Sequence, residues 1–270
     1  MRPTLSIMLG LICCTALAVG QTADELVAKN LQAHGGVDKI KAIKTLKSVG
    51  KLQQGQFTAQ VGQESKAPDL FRQTFTIQGM TQIQAYDGNI GWQISPFEGR
   101  KDPELLGEDD LRDIQEQADF YGPLVDYKEK GNTVEYLGHD SIDGDDVYKL
   151  KVTLKNGDVL NYYIDPDSML EIRIDKTMYI RGAAHESVTD LGSYKLVNGV
   201  YFPFSVESGP KNSPNRAKIT EESIQANVPI DDSQFKMPEV ATPPTGQKHP
   251  EPPPQSPKPK APAPQKPPKK

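Results

Sequence analysis

The stretch that decides the fold is Val147–Val206, which reads VYKLKVTLKNGDVLNYYIDPDSMLEIRIDKTMYIRGAAHESVTDLGSYKLVNGVYFPFSV. Apolar residues recur at every second position through five consecutive runs, and each run ends in a turn signal. Successive side chains of a strand point to opposite faces, so Leu150 and Val152 share one face while Lys151 lies on the other. The pattern predicts a meander of antiparallel strands that is apolar on one side only.

The turn at residues 155–157 sets the register of the first hairpin. A three-residue loop with Gly157 in the left-handed conformation pairs Leu150 with Tyr162. A two-residue Asn-Gly loop would instead place Lys151 opposite Tyr162. One-sided burial favours the first, because a slip of one residue turns a whole strand inside out.

The same turn chemistry recurs at residues 197–199, which read Val-Asn-Gly. Under the same three-residue loop, Leu196 faces Val200 and Tyr194 faces Phe202. We therefore expect Gly199 to be left-handed as well.

The rest of the chain adds strands and a few short helices. Thr22 is placed to cap a helix from Ala23 to about Ala33, a second helix is expected over Val37–Ile43, and a third lies within Leu105–Tyr121. Together with the alternating runs before and after these helices, the sequence predicts about ten strands. A one-sided sheet needs a layer over its apolar face. With so few helices, either the sheet rolls up and fills its own interior or it leaves a cavity.

The first twenty residues have the pattern of a secretory signal peptide. Arg2 precedes an apolar run from Leu5 to Val19, and Gly20 is a small residue at the expected cleavage point. Both cysteines of the chain lie inside this segment. The mature protein is therefore predicted to be an exported, periplasmic and soluble protein without disulfides or a lipid anchor.

The C-terminal residues 239–270 differ in composition from the rest of the chain. Between Ala241 and Lys270 there are twelve prolines, six lysines and one glutamate, which predicts an extended, disordered tail. The tail carries +5 of a total charge of −5, which leaves −10 for the remainder. An acidic globular part argues against a nucleic-acid partner. The tail itself either reaches an anionic envelope surface or serves as a passive spacer.

No residue pattern predicts catalysis, a metal or a cofactor. The four histidines show no zinc-ligand spacing, and no serine lies in a GxSxG motif. Asp140, Asp143, Asp145 and Asp146 lack the spacing of a calcium loop and are expected to form an acidic hairpin tip. We therefore predict that the protein is not an enzyme.

Five segments resemble the LolA/LolB-like family of periplasmic lipid and lipoprotein carriers, in particular its outer-membrane lipoprotein-sorting branch. They are Ala23–Lys51, Tyr86–Trp92 (YDGNIGW), Tyr162–Ile172 (YYIDPDSMLEI), Tyr194–Phe204 (YKLVNGVYFPF) and Val228–Pro238 (VPIDDSQFKMP). The resemblance covers the region that we assign to one domain, residues 21–238. It implies a mainly β fold, in which a strongly curved antiparallel sheet forms an incompletely closed barrel with short helices as a lid. It also implies a cavity that takes acyl chains.

The ligand that the resemblance implies is a lipid or a lipoprotein acyl chain, and we expect large apolar side chains of the sheet and the lid to line its site. The candidate lining residues are Phe71, Phe75, Ile83, Trp92, Leu111, Ile114, Phe120, Leu150, Val152, Tyr162, Ile172, Phe202 and Phe204. Taken singly, such residues more often fill a core than line a pocket, and only the resemblance favours the pocket. An envelope regulatory or sensor module that uses the same fold is the alternative function, and copurified lipid or a protein partner would distinguish the two.

Overall fold

A computed structural model describes residues 22–180 and 182–239, and within these ranges the chain is mainly β. The predicted signal peptide, and all but the first residue of the predicted tail, lie outside the described residues. None of the helices in the described part is long and apolar enough to cross a membrane.

The three predicted helices are present, at α1 (Ala23–Ala33), α2 (Val37–Ala42) and α3 (Glu108–Gln117). Thr22 caps α1 as expected, because its hydroxyl accepts from the Glu25 N–H at 3.2 Å while the Glu25 carboxylate accepts from the Thr22 N–H at 2.9 Å. This reciprocal pair satisfies two of the free donors at the start of the helix.

Thirteen strands, rather than about ten, form one antiparallel sheet within the described residues, and two more form a separate ribbon. The strands are β1 (Thr45–Gln54), β2 (Phe57–Lys66), β3 (Leu70–Ile77), β4 (Met80–Tyr86), β5 (Gly91–Ser95), β6 (Arg100–Leu105), β7 (Thr133–Ile142), β8 (Asp145–Thr153), β9 (Val159–Ile164), β10 (Glu171–Ile180), β11 (Ala183–Gly192), β12 (Lys195–Val197), β13 (Val200–Phe202), β14 (Ser205–Pro210) and β15 (Ala217–Ala226). The sheet order is β6-β5-β4-β3-β2-β1-β15-β14-β11-β10-β9-β8-β7, and β12 pairs with β13. Because β6 and β7 do not pair with each other, hydrogen bonds do not close the sheet, as expected for an open, curved barrel.

The register of the first hairpin, β8–β9, is confirmed. Leu150 pairs with Tyr162, and the Leu154 N–H donates to the Asp158 carbonyl at 2.8 Å across the three-residue loop. Gly157 has φ +91°, the left-handed conformation that the loop requires.

The register of the second hairpin, β12–β13, was wrongly predicted. Leu196 pairs with Tyr201 and Val197 with Val200, so the loop has two residues rather than three. Asn198 and Gly199 both have positive φ, at 49° and 83°, which is the type I′ geometry that suits a tight hairpin. Because this ribbon lies off the main sheet, one-sided burial does not constrain its register.

We call the side of the sheet that carries Leu150 and Phe71 the lid face, because the helices pack there. Leu26 and Val27 of α1 form a core with Leu150, Val152, Leu160, Tyr162 and Ile164. Ile114 of α3 packs with Phe71, Tyr86 and Leu106 in a second core. Gly91 makes room for α3, since a Cβ there would lie 2.9 Å from Leu111 and 3.4 Å from Ile114.

Helix α3 also contacts the opposite wing of the sheet through charged residues. Arg112 pairs with Asp158, whose side chain is fully buried, and its Nη1 donates to the Tyr179 carbonyl at 2.8 Å. Lys176 Nζ lies 3.0 Å from the Glu116 carboxylate. The helix thus connects the β3–β5 wing with the β9–β10 wing across the lid face.

The segment after β15 packs on the opposite side, which we call the outer face. The Thr45 hydroxyl donates to the Val228 carbonyl at 2.6 Å, and the Trp92 indole N–H donates to the Phe235 carbonyl at 2.7 Å. Phe235 is fully buried, so this segment docks on the sheet rather than extending into solvent. Thr45 and Trp92 alternate with the lid-face residues Leu46 and Gly91, which places this contact on the outer face.

Candidate lipid-binding site

A cavity of about 300 Å³ lies between the lid face and the elements that cover it. Helices α1 and α2, the segment 119–125 that follows α3, and strand β13 with its flanks form the cover. The lining residues are Asn30, Leu31, His34, Ile40, Ile43, Leu46, residues 119–125, Tyr162, Glu171, Ile174 and residues 200–203. Most of these side chains are aliphatic or aromatic, so the cavity suits an apolar ligand.

A cluster of hydrogen-bonded polar groups forms one wall of this cavity. His34 Nε2 lies 2.8 Å from Glu171 Oε2, and Asn30 Nδ2 donates to the same oxygen at 2.9 Å. The Tyr194 hydroxyl donates to the Glu171 carbonyl at 2.7 Å. These bonds satisfy the polar groups that the cavity would otherwise leave unpaired.

The electrostatics of this cluster favour an ion pair. Burial disfavours the charged form of Glu171, but hydrogen bonds from His34 and Asn30 outweigh it and leave its pKa lowered. Burial likewise disfavours protonated His34, but the hydrogen bond and charge of Glu171 outweigh it and leave its pKa raised. Burial raises the pKa of Tyr194, which stays neutral.

His34 also fastens the ribbon to α1. Its Nδ1 lies 2.9 Å from the Tyr201 carbonyl, and its own carbonyl accepts from the Tyr201 N–H at 2.8 Å. Gly35 is required beside this contact, because a Cβ there would lie 2.2 Å from the Gly199 carbonyl oxygen. Both ring nitrogens of His34 are used inside the protein, so the imidazole does not present a free base to a ligand.

Three of the thirteen predicted lining residues reach the cavity: Phe120, Tyr162 and Phe202. Leu150 and Val152 are buried beneath α1, and Phe71, Leu111 and Ile114 pack together at α3. Phe204 is buried, with Lys195 Nζ lying 4.3 Å from the centre of its ring. Phe75 and Ile172 are half-buried, and Ile172 lies at a bulge in β10.

Ile83 and Trp92 do not share a face with Phe71 and Phe75, contrary to the prediction that all four line one pocket. The β3–β4 turn has two residues, so Ile77 pairs with Met80 and Phe75 with Gln82. Ile83 then pairs with Ile94 on the outer face, next to Trp92. Trp92 lies under the C-terminal segment and is not placed to report on a ligand in the cavity.

The polar wall of Asn30, His34 and Glu171 is not evident from the sequence. His34 is the C-cap of α1, a position where the helix dipole favours a histidine, and no sequence pattern connects it with Glu171. Asn30 could be recognised from the sequence, because it is a polar residue on the apolar stripe of α1. The structure shows that it is buried. A buried polar residue needs a partner, and Glu171 supplies it from a strand 141 residues away along the chain.

No group of three or more His, Cys, Asp or Glu side chains within residues 22–180 and 182–239 could hold a metal ion.

The fold is similar to that of solved LolA-like proteins. A LolA superfamily protein from Nitrosomonas europaea matches with a TM-score of 0.55 and 12% identity, over 80% of this chain and 98% of that one. A DUF1329 family protein from Desulfovibrio piger matches with a TM-score of 0.56 and 14% identity, over 79% and 97% of the two chains.

A third similar structure is described as an outer-membrane lipoprotein-sorting protein domain from Vibrio parahaemolyticus, with a TM-score of 0.53 and 11% identity over 77% of this chain and 97% of that one. No protein-family model and no curated protein sequence matches this chain. These similarities concern the fold alone.

Proposed function

We propose that this protein binds an acyl chain of a lipid or lipoprotein in the cavity under α1, α2 and β13, and carries it within the cell envelope. The observation that supports this most directly is an apolar cavity of about 300 Å³ between the lid face and its cover, in a LolA-like fold. The predicted signal peptide supports a place of action outside the cytoplasm.

The size of the cavity favours a ligand with one acyl chain over a ligand with several. Ligand sites for small molecules span about 300–1,000 Å³, so this cavity is at the lower end. Each buried CH₂ contributes about 0.8 kcal/mol, so ten methylenes would supply about 8 kcal/mol before the cost of association. This is enough for useful binding without any polar contact.

The test combines copurified lipid with a variant that fills the cavity. Leu46 lines the cavity on β1, and Leu46→Trp should occupy the space that a chain would take. The matched control is Val49→Trp on the same strand, because Val49 is exposed. We expect mass spectrometry of organic extracts to find lipid with the wild type and with the control, and much less with Leu46→Trp.

Added ligand provides a second measurement. Fatty acid should raise the Tm of delipidated wild-type protein and displace a fluorescent fatty-acid probe, and Leu46→Trp should weaken both effects. Absence of copurified lipid together with an unchanged Tm in the wild type would contradict the proposal.

A module that binds a protein partner is the second candidate, and one feature of the ribbon favours it. Leu196 and Tyr201 are cross-strand neighbours and are 59% and 38% exposed, so the ribbon presents an apolar pair to solvent. A stoichiometric partner that is retained by the wild type and lost with Leu196→Ser would support this role. Retention of that partner by the variant would contradict a contact through the ribbon.

A further inference from the structure

Four glutamines form a continuous row across the lid face of strands β2 to β5. Gln63 pairs with Gln73, Gln73 with Gln84, and Gln84 with Gln93. Directly paired residues of antiparallel strands lie side by side on the same face. We call these four residues the glutamine row; Ser48 of β1 adjoins one end and Glu104 of β6 the other.

The row lies next to the part of the lid face that α3 covers. Phe71, Tyr86 and Gly91 are two residues from Gln73, Gln84 and Gln93 on their strands, and they contact or face α3. All four glutamines are half-buried, so part of each side chain is accessible to solvent.

The row also lies on the same face of the sheet as a residue that lines the cavity. Leu46 lines the cavity, and Ser48 is the next residue on the same face of β1, about 7 Å along the strand. A ligand that entered the cavity could therefore extend along the same face to the row.

Much of the hydrogen-bonding capacity of the row is unused. Gln84 donates to Gln93 at 3.4 Å, and Gln93 donates to Glu104 at 2.9 Å, which orients the β4–β6 end. Gln63 donates only to the Ser65 hydroxyl, at 3.3 Å. Within the described residues, the side-chain amide of Gln73 forms no hydrogen bond.

A neighbouring carboxyl group adds a second, independent observation. Glu221 of β15 pairs with Gly50 on the lid face, and the Ser48 hydroxyl lies close enough to its carboxyl group to interact with it. The Glu221 Oε2 is nevertheless buried without a hydrogen-bond partner among the described residues. A buried polar atom of this kind calls for a partner, because leaving it unpaired costs about 1–3 kcal/mol. A polar group of a ligand would supply one.

The chemistry of the row selects the ligand. An amide offers two donors and an acceptor and carries no charge, so it suits hydroxyl groups, which both donate and accept. The row contains no lysine or arginine, and Arg100, which adjoins its β6 end, is already paired with Glu98 and Glu104. An anionic phosphate group would need a free cation. Phe75 and Val61 form the adjoining pair on the same face and offer an apolar surface.

We propose that the glutamine row binds an uncharged, hydroxyl-rich sugar group. This inference rests on the proposed function, because the sugar is taken to be the headgroup of a lipid whose acyl chain occupies the cavity. A glycan that is not attached to a lipid has the same chemistry and is distinguished by experiment.

Two detergents with the same chain test the headgroup. Dodecyl maltoside carries a neutral sugar and dodecylphosphocholine carries a zwitterionic phosphate, and both can be titrated below their micellar concentrations by calorimetry. We expect dodecyl maltoside to bind about tenfold more tightly, the equivalent of one or two hydrogen bonds. Maltotriose, which lacks an acyl chain, tests whether the sugar alone is sufficient.

Variants test whether the glutamine row causes the preference for dodecyl maltoside. Gln63→Leu combined with Gln73→Leu should remove the tenfold preference while leaving dodecylphosphocholine affinity unchanged. The control Gln60→Leu lies on β2 as well, but Gln60 is exposed on the outer face, so the preference should persist.

The outcomes separate this inference from the proposed function. Equal affinity of the wild type for the two detergents would overturn the sugar site and leave acyl binding standing. If the wild type binds maltotriose but neither detergent, the result would support sugar binding by the row and contradict acyl-chain binding in the cavity. Preference for dodecyl maltoside that survives in the double variant would overturn the assignment to the glutamine row.

Discussion

At the scale of single residues, Gly157 determines the loop that sets the β8–β9 register. Its φ of +91° is unfavourable for a β-branched residue, and a Cβ there would contact nothing within 4 Å. Gly157→Val should therefore lower the free energy of unfolding by about 1 kcal/mol or more through backbone strain alone. Chemical denaturation measures this, and Lys155→Val in the same loop is the control. Equal stability of the two variants would contradict the role assigned to the left-handed glycine.

His34 predicts a pH dependence of stability. The folded-state pKa of His34 is raised above its usual value near 6.5, so its stabilising contribution is full below that value and is lost as the pH rises through the raised pKa. The pKa of Glu171 is lowered, so its contribution is present above its usual value near 4.5. The pair should stabilise the protein most between about pH 4.5 and 6.5.

Denaturation of the wild type and of His34→Gln should show this directly. The stability difference between the two proteins is expected to be larger at pH 5.5 than at pH 8.5. His185 is exposed, so His185→Gln should change stability by less than about 0.5 kcal/mol at both pH values. A His34→Gln difference that grows with pH would contradict the assignment of an ion pair.

At the scale of elements, the C-terminal segment stabilises the outer face through Phe235. Phe235 is fully buried and its carbonyl accepts from the Trp92 indole. Phe235→Ala should therefore destabilise the protein by about 3–5 kcal/mol and shift Trp92 emission to longer wavelength as water reaches the indole. Phe97, which is 37% exposed, is the control, and Phe97→Ala should cost about 1 kcal/mol or less. Unchanged Trp92 emission in folded Phe235→Ala would contradict the docking contact.

The elements also show what the sequence could predict and why the rest was missed. The β8–β9 register followed from alternation, because both strands bury one face against α1. The faces of Ile83 and Trp92 were missed because Gln78 and Gly79, both with positive φ, form a two-residue turn that reverses the expected alignment. Apolar residues on both faces of β4 and β5 cannot be sorted by alternation when a distant segment, here Phe235, covers the second face.

The candidate site was predicted less well than the fold, for a related reason. Phe120, Tyr162 and Phe202 reach the cavity from three separate parts of the chain. Apolar residues in a core and in a cavity have the same sequence pattern, so only tertiary structure separates Val152 from Tyr162. The pairing of Asn30 and His34 with Glu171 depends on contacts across more than 130 residues. No local pattern encodes such contacts.

At the scale of the whole molecule, an open sheet of thirteen strands has two edges, and α3 connects the wings that lead to them. One side of α3 packs Ile114 against Phe71 and Tyr86, and the other side places Arg112 on the buried Asp158. Asp158 also accepts from the Asn156 side chain at 3.0 Å, so its carboxylate is held by its own loop as well as by the helix. The helix therefore links the two wings of a sheet that hydrogen bonds do not close.

This arrangement predicts a large effect for Arg112→Met. The substitution keeps an aliphatic side chain but leaves the Asp158 carboxylate buried without its cation, which should cost about 3 kcal/mol. In a chain of this size, that corresponds to a fall in Tm of about 6–12 °C.

Arg100 provides the control for Arg112→Met, because it also pairs with two carboxylates, Glu98 and Glu104, but at the surface. Arg100→Met should change stability by about 1 kcal/mol or less. Hydrogen exchange should show faster opening of β4 and β5 in Arg112→Met, because these strands lose their connection to the β9–β10 wing; unchanged exchange there would contradict the role of α3 as the link between the two wings.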